Sequence, residues 1–318
     1  MKSCDFMRGM GVSPMHIDVA WARRPCYAVI LCALLLGCAH NNRRVRDPYT
    51  GPTLSMYEAV QKINANNRRL PTLNVTQEMD VSIVDPQTKK VDNAQLSGAL
   101  LYRQGRDLLI LATKTGAGRV FELGSNRDTY WMSVKVGPDT TWWGRYENLG
   151  KPCAQEIPIR PDLIQQVLGI ATIGEDFNQL PAPTMRFNND ADAYMFVWNG
   201  KLPDRWVAVR EVWYDRQTLL PRLVLLFDAN GRVVLRAYLS EHRKVKLENV
   251  PESQWPQVAT EYRLYFPDSG SKLSLHFTDV ALSQPLRSRQ VPDDRSFHFD
   301  PERTYTSKVI QLDEACGP

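Results

Sequence analysis

The sequence is poor in the side chains that metal and nucleophile chemistry draw on. Its 318 residues hold five His and six Cys; beyond residue 38 only His40, His242, His276, His298, Cys153 and Cys316 remain. No two of those histidines stand at metal-ligand spacing with a carboxylate or thiol, which argues against a zinc site. Charge of one sign is missing too. Removing residues 1–37 takes Lys2, Arg8, Arg23 and Arg24 against Asp5 and Asp18, leaving 35 basic and 33 acidic side chains. That balance gives no electrostatic footprint for nucleic acid. The apolar run Tyr27 to Leu36 falls well short of the roughly 20 residues that cross a bilayer as a helix. Carboxylates are scattered rather than paired. Ser269-Gly270-Ser271-Lys272 and Lys114-Thr115-Gly116 occur in the reverse of the order that serine enzymes of the penicillin-binding type use, with the Ser in a turn. Gly116-Ala117-Gly118 lacks the strand-to-helix setting of a phosphate loop. No enzyme emerges.

What is present begins with a secretory pattern: the basic pair Arg23 and Arg24, the apolar core Tyr27 to Leu36, then Leu35-Leu36-Gly37-Cys38 at its end. Met15 is an alternative start that gives a more ordinary signal length. Leu-x-Gly-Cys resembles the lipobox of bacterial lipoproteins. The resemblance implies cleavage before Cys38, a diacylglycerol on its thiol and a third acyl chain on its new amine, with no other cofactor. Two or more chains anchor a protein stably, at roughly 0.8 kcal/mol per buried methylene. Ala39 after that Cys implies retention at the outer membrane, facing the periplasm. The expected organisation is a signal over 1–37, a polar tether over 38–52 and a domain over 53–318. Cys153 and Cys316 read either as one disulfide, worth about 2–4 kcal/mol in an exported chain, or as two free thiols.

Apolar positions Leu54, Tyr57, Val60 and Ile63 predict a short helix that Thr53 or Ser55 caps. The period then changes to two over Leu73 to Ile83. Further short strands follow over Gln95 to Tyr102, Asp107 to Ala112, Gly118 to Leu123, Asp128 to Val136 and Thr140 to Tyr146, separated by Gly- and Asp-containing turns. Such short turns join antiparallel neighbours. Pro161, Asp162, the apolar Leu163, Ile164, Val167 and Leu168, and Gly169 spell a second helix. A second meander runs from Ala193 to Leu282. About a dozen strands and two helices describe one curved antiparallel sheet that buries the helices' apolar faces.

Val212-Trp213-Tyr214-Asp215, Leu220-Pro221-Arg222-Leu223 and Phe227-Asp228-Ala229-Asn230-Gly231-Arg232, together with Leu273 to Val280, resemble the LolA/LolB group of lipoprotein carriers. The resemblance implies a mainly β, α+β fold: an unclosed half-barrel of about eleven or more strands with an N-terminal helix and a central lid helix. An open half-barrel must hide its concave face or use it. Trp131, Trp142, Phe196, Trp213, Leu225 and Phe227 are the expected liners of an acyl-chain cavity, with Leu163, Val167 and Leu168 on its lid. The implied partners are the membrane, the acyl chains of lipids or lipoproteins, and a soluble periplasmic carrier. The alternative is an envelope scaffold whose sheet edges accept a partner's strand.

Overall fold

A computed structural model describes residues 49–84, 91–135, 138–154, 157, 159–281 and 292–316; Cys38, the signal and the tether up to residue 48 lie outside the described residues. Chain order begins with α1 (Met56–Asn67). Its start is a capping box: Ser55 accepts from the Glu58 N–H while the Glu58 carboxylate accepts from the Ser55 N–H at 2.9 Å. Both orphan donors are thereby satisfied. Then come β1 (Thr72–Val84), β2 (Val91–Arg103), β3 (Asp107–Lys114), β4 (Gly118–Ser125), β5 (Thr129–Val134) and β6 (Thr140–Arg145). A long connection carries α2 (Pro161–Val167). The second meander holds β7 (Ala182–Asn188), β8 (Ala193–Lys201), β9 (Trp206–Asp215), β10 (Pro221–Phe227), β11 (Val233–Ser240), β14 (Glu261–Phe266) and β15 (Ser271–Ala281), with β12 (Arg243–Lys244) and β13 (Gln257–Val258) as a separate ribbon. β16 (Lys308–Gln311) comes last.

Fourteen strands form one sheet in the order β16-β6-β5-β4-β3-β2-β1-β15-β14-β11-β10-β9-β8-β7. The sheet is unclosed, with edges at β16 and β7, as expected from the sequence. All neighbours are antiparallel except β16, which runs parallel to β6. β6 and β16 are far apart in sequence, so no tight hairpin turn forces them to run antiparallel. The Asp-containing turns close by their own side chains. Asp215 accepts from the N–H groups of Gln217 and Thr218, and Asp228 from those of Asn230 and Arg232, with Gly231 at φ +76°.

Alternate residues of each strand face opposite sides, and here the two sides differ. Both halves of the sheet feed one buried cluster together with Ala59, Val60 and Ile63 of α1 and Ile164 and Val167 of α2. The sheet therefore curls around the helices, which fixes an inner face. On the outer face of the first meander a second cluster joins Leu109 and Trp131 to Phe297, with Leu101, Leu111, Trp143 and Phe299 packed against it. The C-terminal segment 292–316 lies over that half. Cys153 and Cys316 form a disulfide with Cα atoms 5.1 Å apart, and buried Asp313 accepts from Asn148 Nδ2 at 2.7 Å and from the Arg145 N–H at 3.1 Å.

Candidate functional site

Helices plug one end of the inner face. Val167 and Leu168 are each 1 % exposed and Phe196 is 0 %, so all three are packed core. Leu163 and Trp142 are half-buried against the same cluster. These five expected residues are brought together on the inner face, but its helix end is filled core rather than cavity. Beyond α2 the chain is pinned to α1: Asn64 donates to the Ile173 carbonyl and accepts from its N–H, both at 2.8 Å, and Asn67 donates to the Ala171 carbonyl at 2.9 Å. α2 itself rests on apolar contacts, a 3.4 Å bond from Gln165 to the Ser125 hydroxyl and a 3.3 Å bond from the Tyr262 hydroxyl to the carbonyl of its C-cap Leu168. Between the pinned turn and α2 sits Gly169 at φ +72°, where a Cβ would meet Pro221 at 2.6 Å. Only glycine fits there.

Four expected liners lie elsewhere. Trp131 is on the outer face, stacked on Phe299 at 4.8 Å, its Nε1 donating to Glu122 at 2.8 Å, with its ring over the space a Gly124 side chain would fill. Trp213, Leu225 and Phe227 alternate with the inward Val212, Tyr214, Val224 and Leu226, so they too face out. The reason is phase. Both faces of β9 and β10 carry large apolar residues, and a period of two does not say which set is inside.

At the end of the inner face away from the helices, burial falls. Leu73, Val75, Leu100, Leu123, Met132 and Tyr262 are buried, whereas Val81, Leu96, Phe121, Val134 and Phe266, further along the same strands, are half-buried. The direct row Gln77, Gly98, Ala112, Phe121, Val134 crosses five strands at this level. Gly98 is obligatory, since a Cβ there would meet the Leu111 carbonyl oxygen at 1.8 Å. Gly98 and Ala112 leave the row shallow beside Gln77, which is 1 % exposed with no hydrogen-bond partner for its Oε1. An unpaired buried acceptor is uncommon and costly. At this end the inner face is apolar and only half-buried, with one unsatisfied acceptor, the Gln77 Oε1, buried beside it.

Arg210 of β9 belongs to the same inner face. It lies opposite Trp198 and Leu226, with its guanidinium 3.8 Å from the centre of the Trp198 ring. No carboxylate pairs with it among the described residues; desolvation by burial draws its pKa down and pushes neighbouring Tyr214 up to about 12. Neither this arginine nor Gln77 was legible as a site residue, because each is a lone polar residue in a strand whose phase was open. A separate cleft of about 890 Å³ lies between the β2–β3 and β4–β5 turns and the C-terminal segment. It is polar, and its charges largely neutralise one another: Arg103 holds Asp107 and Asp294 together, and Arg106 stacks on Tyr146 at 4.4 Å. Among the described residues no group of His, Cys, Asp and Glu is arranged to hold a metal, and no helix is long and apolar enough to cross a membrane.

No protein-family model and no curated protein matches the sequence. Solved structures do align with the chain. A LolA superfamily protein of Nitrosomonas europaea aligns at 13 % identity over 78 % of this chain and 99 % of its own, with a TM-score of 0.46. A putative outer membrane lipoprotein-sorting protein domain of Vibrio parahaemolyticus aligns at 13 % identity over 73 % and 94 %, TM-score 0.44. A DUF1329 family protein of Desulfovibrio piger aligns at 13 % identity over 76 % and 97 %, TM-score 0.45.

Proposed function

We propose that the chain is a non-enzymatic, lipid-anchored protein of the bacterial envelope that holds acyl chains in the half-open trough of its inner face, in lipoprotein or lipid transfer at the outer membrane. The observation that carries this reading is the step in burial along the inner face, from filled core beside the helices to half-buried Phe121, Val134 and Phe266. Leaving apolar surface wet forgoes about 25 cal/mol per Å², which an acyl chain laid in the trough recovers. The Gln77 oxygen offers an acceptor for an amide or hydroxyl at the head of such a chain, and Arg210 a cation for a phosphate or carboxylate. Cys38 supplies the anchor, and the Cys153–Cys316 disulfide suits an oxidising compartment. A soluble carrier would deliver the cargo. Longer chains reach the deep end only if α2 swings away about Gly169, so affinity is the difference between ligand burial and lost lid contacts.

A second reading, a scaffold without cargo, is favoured by the filled deep end and by the two unpaired sheet edges, which suit strand addition. One experiment separates the two. The full chain carrying Cys38→Ala is incubated with phospholipid and examined by native mass spectrometry, beside the same chain with Val134→Trp, which closes the trough mouth. Carriage gives a near-stoichiometric lipid adduct in the first and at least tenfold less in the second. An unliganded mass in the first overturns carriage and leaves the scaffold.

A further inference from the structure

The outer face of the sheet is covered by the C-terminal segment over the first meander and by no described residue over the second. Six strands there present two adjacent rows, fixed by direct pairing. One runs Met195, Trp213, Leu223, Tyr238, Arg263, Ser274, and the other Val197, Glu211, Leu225, Arg236, Tyr265, Lys272. Tyrosines and cations thus alternate in a checkerboard. Tyr238 and Tyr265 meet edge to face at 6.1 Å, Arg263 lies 5.9 Å from the Tyr238 ring, and Lys272 lies 5.9 Å from that of Tyr265. Beside them Trp213, Leu223 and Leu225 form an apolar strip that is only half-buried.

The charges on this face are not balanced. Arg236, Arg263 and Lys272 enter no ion pair among the described residues, whereas Glu211 is engaged by the Trp213 indole and Glu261, at the border, by His276. On the neighbouring β1, Glu78 and Asp80 lie opposite His276 and Ser274. Aromatic rings that are apolar in body and polar at the tip, cations on flexible stems, and a strip of Leu and Trp together match the headgroup layer of a negatively charged bilayer. Several other arginines of the second meander are paired, as Arg216 is with Asp192, Arg222 with Asp215 and Arg232 with Asp228, while Arg210 stacks on Trp198 on the inner face. Arg236, Arg263 and Lys272 stand together on the outer face of the adjacent strands β11, β14 and β15.

We infer that this outer face is a docking surface for an anionic phospholipid bilayer, with Arg236, Arg263 and Lys272 taking lipid phosphates and Tyr238, Tyr265 and Trp213 seated among the headgroups. The inner trough plays no part in it, so it stands or falls apart from acyl-chain carriage. The test is co-sedimentation of the full chain carrying Cys38→Ala with vesicles of phosphatidylcholine alone or with about one third phosphatidylglycerol. A second chain adds Arg236→Glu, Arg263→Glu and Lys272→Glu, so any contribution of the N-terminal segment is common to both. Circular dichroism confirms that the exposed replacements leave the fold intact. The first chain is expected to bind the phosphatidylglycerol vesicles, weakening with salt, and the second to lose about a hundredfold in affinity. Equal binding by both chains, equal binding to both vesicles, or no binding to the anionic vesicles overturns the inference.

Discussion

Gln77 shows how one side chain can report on a site that its neighbours conceal. Its carboxamide oxygen is buried without a partner in a row of small and apolar residues. Replacing a buried group whose polar atom is unpaired by an apolar one of similar shape relieves its desolvation cost. Gln77→Leu is therefore expected to raise the stability of the unliganded protein by about 1 kcal/mol in chemical denaturation, while weakening any ligand that donates to that oxygen; a loss of stability would show that the oxygen is satisfied in solution. The residue scale is also where sequence reading goes furthest astray. The large side chains were legible as candidates, and Phe196, Val167 and Leu168 do lie inside. Trp213, Leu225 and Phe227 lie outside because β9 and β10 carry apolar residues in both phases. Trp131 lies outside because a segment 160 residues later covers it, and no local pattern carries that information.

At the scale of elements, most of the fold was legible. The capped helix at Ser55, the helix opened by Pro161 and the strands around the Asp215 and Asp228 turns are local in origin: each is set by its own caps, turns and periodicity. β7 escaped because Pro181 and Pro183 sit at its start and read as breakers, though Pro183, Met185 and Phe187 alternate correctly for an edge strand. β16 escaped because four residues paired in parallel with β6 have no sequence signature. The C-terminal segment is held by the disulfide, by Phe297 and Phe299, and by Asp313. Burial alone would push the Asp313 pKa up, but hydrogen bonds from Asn148, the Arg145 N–H and Gln311 outweigh it and hold the carboxyl below its ordinary range. A depressed native pKa contributes stability above the ordinary carboxylate pKa, and that contribution is lost as pH falls through the native value. Asp313→Asn should remove that pH dependence, flattening the acid limb of a stability-against-pH curve measured by denaturation below about pH 5; an unchanged limb would show that the carboxylate is not so held.

For the whole molecule, the two meanders are not independent domains. Their inner faces share one cluster with both helices between them, so either meander alone exposes half a core. A fragment of residues 1–160, produced by itself, is expected to lack a cooperative thermal transition, and a sharp one would show that the first meander folds without its counterpart. Function divides differently. The half-buried inner positions run from Val134 of β5 to Phe266 of β14, whereas the basic and aromatic face belongs to the second meander alone, so the proposed cargo site and the proposed membrane surface can be altered separately. The join between the meanders has a consequence for the order of assembly. β1 pairs along one side with β2, its immediate successor, and along the other with β15, where Glu78 lies opposite His276. One contact closes a short loop and the other a loop of almost two hundred residues, with the larger entropic cost and the slower rate. A chain synthesised N-terminus first can complete its first six strands early, yet the central seam waits for β15. Until then β1 offers an unpaired apolar edge, and the interval between the emergence of β1 and that of β15 is the period in which misassembly competes with folding.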